Sequence, residues 1–253
     1  MKMDIAAFVG IILGVGSLVV GNIVEGGTTA HLFQVVAAVI VFGGTLGATL
    51  LSFSMRDIMN AVKSLRMVFA RKPSPPDEII ADILSTLNKA RRMGLLALEQ
   101  QLNTIHNDFL RKGIGFIVDG MDPAMIRELL YQEVATYEET VKKAARVFEA
   151  SGGYAPTIGI LGAVLGLIQV MKNVTDPSKI GGGIATAFVA TIYGVASANL
   201  ILIPIGKKIM NRLREEVLIR ELIIEGVLGV ESGVNPYFLR VRLNSFLAEH
   251  EKS

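Results

Sequence analysis

The sequence predicts an all-α integral membrane protein: four transmembrane helices, a helical cytoplasmic domain inserted between helices 2 and 3, and a helical cytoplasmic tail. Three observations lead there. Of the 253 residues 51% are hydrophobic and the mean hydropathy is positive, which suits a membrane chain better than a soluble domain. Four stretches, Ile5–Val24, Leu32–Phe53, Tyr154–Met171 and Ile180–Gly206, contain no Asp, Glu, Lys, Arg or His. Each is near the ~20 residues that a helix needs to cross hydrocarbon. The polar block between the second and third is far too long for a hairpin connection.

The chain therefore divides into a membrane hairpin (1–54), an inserted domain (55–153), a second hairpin (154–206) and a tail (207–253). Charge sets the orientation. Of 25 Lys and Arg residues, 14 fall between Arg56 and Arg146 and 8 follow Gly206, whereas only Lys172 and Lys179 separate the third and fourth spans. None lies in the 22–31 loop. The positive-inside rule then places both termini and the large loop in the cytoplasm. No small-residue cleavage pattern follows the N-terminus, so the first span reads as retained rather than as a signal peptide.

In the inserted domain, Ile58, Val62, Leu65 and Phe69 recur at helical spacing over Met55–Ala70. The run Arg71-Lys72-Pro73-Ser74-Pro75-Pro76 breaks that helix. Asp77–Leu110 resumes as amphipathic helix with an irregularity near Gly94, and Gly113-Ile114-Gly115 reads as a turn. Asp122-Pro123 pairs an N-cap oxygen with a first-turn proline, and opens a helix carrying Ile126, Leu130, Val134 and Val141 towards the third span. Beyond Pro204 comes a charged helix over 207–226, then an Asn235-Pro236 break and a short terminal helix.

Several chemistries find no support. There is no cysteine, His106 is the only histidine in the loop, and no clustered spacing suits a metal. Gly113-x-Gly115 lacks the strand that a phosphate-binding turn follows. The loop's 13 acids between Asp57 and Glu149 balance its bases, which argues against nucleic acid. The expectation is a non-enzyme without metal or cofactor.

What remains lies in the spans. Gly10/Gly14 and Gly43/Gly47 read as packing contacts within one subunit. On the third and fourth spans, Gly159, Gly162, Ala163 and Gly166, and Ala187, Thr191, Gly194 and Ala198, suit a surface around another helix or a wet lumen. Thr186, Tyr193 and Ser197 fall near one stripe, with Thr191 and Asn199 beside it and Thr157 and Gln169 on the third span. Such hydroxyls either bond their own backbone or line an ion pathway. Pro156 and Pro204 mark the cytoplasmic ends of these spans, as boundary markers (Pro156 as a first-turn helix proline) or coupling kinks. Pro204 frees the carbonyl of Leu200. The loop charges Arg91, Arg92 and Glu99 read as a solvated helix face, on which Arg92 and Glu99, seven apart, share a stripe.

Taken in order, Ala90-Arg91-Arg92-Met93-Gly94-Leu95-Leu96-Ala97-Leu98-Glu99, Val118-Asp119-Gly120-Met121-Asp122-Pro123, Ala155-Pro156-Thr157-Ile158-Gly159-Ile160-Leu161-Gly162, Gly194 to Pro204 and Asn235-Pro236 resemble the flagellar motor stator A-subunits (MotA/PomA) over essentially the whole chain. The resemblance implies a homo-pentamer in the bacterial inner membrane around B-type subunits, whose single transmembrane helices each carry an aspartate. Ion flow through that aspartate would drive torque on a rotor switch protein at the cytoplasmic side. It implies rotor contacts at Arg91 and Glu99, with Arg92 as a neighbouring basic contact, and it puts Ala163 and Thr191 at family positions of the ion pathway, beside the lining expected from the residues themselves at Thr186, Tyr193 and Ser197 and the coupling prolines Pro156 and Pro204. Sodium-driven members carry threonine where this chain has Ala163, so protons are the expected ion and sodium the alternative. The related ExbB/TolQ energisers resemble a three-span pattern instead, and the N-terminal hairpin argues against them.

Overall fold

A computed structural model describes residues 4–28, 32–69 and 75–250. No strand occurs among them. The helices are α1 (Ile5–Val24), α2 (Val35–Ser52), α3 (Met55–Phe69), α4 (Pro76–Met93), α5 (Asp108–Val118), α6 (Pro123–Lys172), α7 (Pro177–Ala196), α8 (Ile203–Glu231) and α9 (Pro236–His250). A 3₁₀ segment, Leu95–Thr104, precedes α5. Two π-helical turns interrupt the apolar spans, Val39–Gly43 inside α2 and Ser197–Leu202 between α7 and α8. Four helices are long and apolar enough to cross a membrane. The expected breaker at Arg71–Ser74 lies outside the described residues, as do 1–3 and 29–31.

Two compact units emerge, and neither matches the linear division. Residues 1–71 and 140–211 form one, and 72–139 with 212–253 form the other. The tail thus belongs with the inserted domain. Its α8 and α9 supply Leu222, Ile223, Val227 and Leu239 to a core shared with Ile83 and Leu87 of α4, Leu110 and Ile114 of α5, and Ile126 and Leu130 of α6. Apolar burial on this scale, at about 25 cal/mol per Å², is what a polar loop needs in order to fold.

In the membrane unit, α2 packs on α7, whereas α1 meets chiefly α3 and the π turn before α8. The first two spans are therefore not a mutually packed hairpin, and no residue of α1 is buried. Asp4 explains how α1 is held: its carboxylate caps Ala6 N–H at 3.1 Å and sits 2.8 Å from Lys208 Nζ.

Three sequence expectations are corrected here. Gly113-Ile114-Gly115 is not a turn but lies inside α5. A Cβ on Gly113 would stand 2.7 Å from the Val227 side chain, so close packing there overrides glycine's low helix propensity. Asp77–Leu110 is not one helix. α4 stops at Gly94, whose φ of +83° glycine tolerates, and a fresh helix starts where Asn107 Oδ1 accepts from Leu110 N–H at 3.0 Å. Pro156 is not a first-turn proline, because α6 runs unbroken for 50 residues with Pro156 inside it. The Asp122 cap is as expected, accepting from Ala124 N–H at 2.8 Å.

Candidate functional site

Glycine builds the centre of the membrane unit. α6 and α7 meet along a seam in which a Cβ on Gly159 would lie 2.9 Å from the Ala190 carbonyl oxygen. One on Gly166 would lie 2.8 Å from the Gly183 carbonyl oxygen, and one on Gly194 2.6 Å from that of Ala155. Such approach lets van der Waals packing replace the hydrophobic force that lipid cannot supply. The expected assignment of the glycines holds for Gly14, where a Cβ would lie 3.4 Å from the Leu200 side chain, and is otherwise inverted. Those of the third and fourth spans are consumed by packing against each other, while Gly10, Gly43 and Gly47 meet nothing within 4 Å in the chain. In α2 it is Gly44, facing Ile158 at 2.9 Å, that makes the close contact.

The hydroxyls come next. Thr186 Oγ1 donates to Gly182 O at 3.0 Å, Thr191 Oγ1 to Ala187 O at 3.2 Å and Ser197 Oγ to Gly194 O at 3.2 Å. Each proton is committed to its own helix, and each oxygen retains acceptor capacity. Tyr193 has a different task. Its hydroxyl donates to Leu32 O at 2.6 Å and accepts from Gln34 N–H at 3.3 Å, and its ring stacks on Phe42, so it anchors the entrance of the second span. Thr186 and Gln169 do come together, with Asn173, Val36 and Ile40, around a cavity of about 530 Å³ where α2, α6 and α7 meet. Ala163 is half-buried on α6 and offers no oxygen.

Both prolines adjoin deformed or crowded backbone. Pro156 Cα lies 3.2 Å from where a Gly194 Cβ would be. Pro204, exposed, follows directly on the π turn Ser197–Leu202 that holds Leu200. At Pro204 the missing donor leaves the Leu200 carbonyl without its i+4 partner, and regular α pairing lapses there, whereas α6 stays α-helical through Pro156.

Sequence reasoning missed a hydroxyl ladder between α2 and α6. Thr49 Oγ1 and Ser151 Oγ pair at 2.9 Å in a buried setting, and Ser52 Oγ and Tyr154 Oη pair at 2.9 Å one turn further on. Thr45 Oγ1, buried one turn away, has no hydrogen-bond partner among the described residues. The signal was present in the spacing 45, 49, 52 against 151, 154, which places each set on one helix face.

In the second unit, Arg91 and Arg92 are exposed in the last turn of α4, where cations suit the helix dipole. Glu99 is exposed on the 3₁₀ segment beyond Gly94. The single helical stripe expected to carry Arg92 and Glu99 does not exist, since the backbone turns between them. None of the three has an ion-pair partner among the described residues. The same unit holds another cluster that the sequence did not disclose. The Arg220 guanidinium sits 3.9 Å from the Tyr137 ring and 5.1 Å from that of Phe109, and its Nε donates to Glu216 at 3.3 Å. Burial raises the Tyr137 pKa, Glu216 adds to that and Arg220 opposes it.

Four apolar spans without Asp, Glu, Lys, Arg or His, two of them packed backbone to backbone and bearing hydroxyls, define a multi-span membrane protein. Residues 8–94 match the motility protein A N-terminal family, and 101–222 match the MotA/TolQ/ExbB proton channel family. Chemotaxis protein PomA of Vibrio alginolyticus is 34% identical over 251 residues, covering 99% of this chain and 98% of the relative. Motility protein A of Bacillus subtilis (strain 168) is 33% identical, covering 99% and 93%. Among solved structures, C. jejuni MotAB matches with a TM-score of 0.90 at 33% identity over 96% of each chain. The flagellar MotAB stator complex from Bacillus subtilis matches with 0.88 at 32% over 98% of each. The chain belongs to the MotA/PomA motility proteins, within the MotA/TolQ/ExbB proton channel family.

Proposed function

We propose that this chain is the A-subunit of a flagellar stator, which couples proton flow through a complex with a B-type subunit to torque on the rotor. The observation that carries the reading is the end-to-end likeness to MotAB, at TM-score 0.90 over 96% of both chains. It favours a stator over an ExbB/TolQ-type energiser. The chemistry agrees. A charge crossing hydrocarbon needs a group that can carry it, and the spans of this chain contain no Asp, Glu, Lys, Arg or His. The carrier is an aspartate on the single membrane helix of the partner, enclosed by a homo-pentamer. Thr186, Thr191 and Ser197, with protons held by backbone carbonyls, offer lone pairs to water around that carboxyl group. Ala163 supplies no ligand to replace the hydration shell of sodium, which makes the proton the coupling ion. Basic-residue bias puts both termini and the inserted domain on the cytoplasmic side of the inner membrane, where Arg91, Arg92 and Glu99 meet the rotor switch protein.

The test is reconstitution. Vesicles holding this chain with its single-span partner should pass protons, and vesicles holding either alone should not. An equal proton flux from this chain alone would overturn the reading. Swimming should persist without external sodium and stop with a protonophore; the opposite pattern assigns sodium.

Charge reversal addresses the rotor face. Arg91→Glu or Glu99→Arg should cut swimming speed by more than half while complex assembly and proton flux stay at wild-type level. Exposed charges govern encounter and register more than folding. A matching loss of assembly would place these residues in the fold instead.

A further inference from the structure

Helix α3 carries an exposed surface to which the proposed function above assigns no role. It follows α2 after only Phe53 and Ser54. Phe53 is extended, with φ −130° and ψ 150°, and Ser54 restarts the helix, its Oγ accepting from Asp57 N–H at 3.2 Å and donating to Asp57 Oδ2 at 2.6 Å. At the far end the Phe69 carbonyl accepts from Asp4 N–H at 3.0 Å, and its ring lies 4.9 Å from Phe8 in α1. The end of one membrane span and the start of another thus hold the 15-residue helix at both ends. Antiparallel spans put those two points on the same side of the bilayer, so α3 runs along that surface.

One face of α3 is buried, through Ala61 and Val68, with Ile58 packed near Ala144 and Val147 of α6. The opposite face exposes Met55 (62%), Met59 (53%) and Val62 (61%). Spacings of four, three and four put these and Arg66 on a single stripe, and Arg56 and Lys63 border it on the same flank. None of the three cations has an ion-pair partner among the described residues.

We infer that α3 is an interfacial helix that docks on anionic phospholipid, inserting Met55, Met59 and Val62 at the acyl boundary while Arg56, Lys63 and Arg66 bind headgroup phosphates. An apolar stripe beside a cationic flank, continuous with two spans, is the pattern of a helix lying in the membrane surface. A second copy of the chain fits less well, because the centres of protein interfaces are depleted of charge and here Arg66 sits within the stripe.

The absence of cysteine makes the test clean. Met59→Cys, labelled with an environment-sensitive fluorophore in the full chain with its partner, is reconstituted into phosphatidylcholine vesicles containing either brominated phosphatidylglycerol or brominated phosphatidylcholine. The brominated anionic lipid should reach half-maximal quenching at a mole fraction about fivefold lower or less, since one basic side chain near an anionic surface contributes about that factor. Arg56→Gln/Lys63→Gln/Arg66→Gln should erase the preference while acyl-chain quenching persists. Equal quenching by the two lipids, quenching by aqueous iodide alone, or protection from both, as beneath a second copy, would each overturn the assignment.

Discussion

Gly194→Ala should abolish motility and lower the melting temperature of the purified complex by up to about 8 °C, whereas Gly10→Ala should leave both unchanged or raise stability slightly. The two substitutions add the same atom to helices of the same membrane unit, so intrinsic propensity favours both by about 1 kcal/mol. What differs is the space. At Gly194 the new Cβ would stand 2.6 Å from the Ala155 carbonyl oxygen, 3.1 Å from Gly159 Cα and 3.2 Å from Pro156 Cα, all backbone atoms that no rotamer change can move. At Gly10 it would meet nothing within 4 Å. Overpacking against rigid backbone costs about 1–3 kcal/mol, and a chain of this size loses about 2–4 °C per kcal/mol. Thermal melting of the complex in detergent, read beside soft-agar swimming, checks the sign. Equal melting of the two variants would mean that the seam between α6 and α7 does not hold the membrane unit together.

That contrast also marks what the sequence discloses. The spans are legible because a missing charge over twenty residues has one physical meaning in a bilayer, and α1 occupies the expected Ile5–Val24. The small-residue motifs are visible too, but their targets are not. Spacing says that backbones approach closely and cannot say which neighbour they approach. Hence Gly159, Gly166 and Gly194 read as a surface around another helix or a wet lumen when they close a seam within the chain, and Gly10 and Gly47 read as contacts when they face open space.

Pro156 shows a second limit. Local rules place a proline at a helix start, yet α6 continues through it, because the loss of one internal hydrogen bond is outweighed by packing on either side. A Cβ at Gly152 would sit 2.6 Å from Ile203 Cγ1, a measure of how tightly the helix is held there. The loop charges show a third. Arg92 and Glu99 share a stripe only if the helix continues, and Gly94, at φ +83°, ends it. Tyr193 shows a fourth: a hydroxyl on the polar stripe is spent on Leu32 and Gln34, 161 and 159 residues away, a pairing no local pattern can reveal.

Arg220→Ala should destabilise the unit formed by 72–139 and 212–253 by about 2–3 kcal/mol, with Arg220→Lys in between. The guanidinium stacks on Tyr137 at 3.9 Å, faces Phe109 at 5.1 Å, bonds Glu216 at 3.3 Å and lies 4.0 Å from Glu133, with 16% of its side chain exposed. Truncation leaves Glu216 without that cation beside an aromatic pocket, and the penalty for an uncompensated charge exceeds the attraction lost. Some solvent reaches the site, so the cost falls below the 3–5 kcal/mol of a fully buried pair. Lysine keeps the charge but loses the planar fork that stacks and bonds at once. Hydrogen exchange in the intact complex should show faster opening of α5 and of the α8 residues after Arg212, with the α6–α7 seam unaffected. Because Arg220 ties the tail to helices of the inserted domain, the same variant should weaken any torque passing through Arg91, Arg92 and Glu99 while proton flux in vesicles is preserved. If Arg220→Ala melts with the wild type, the cluster is a bystander and the apolar core alone holds the unit.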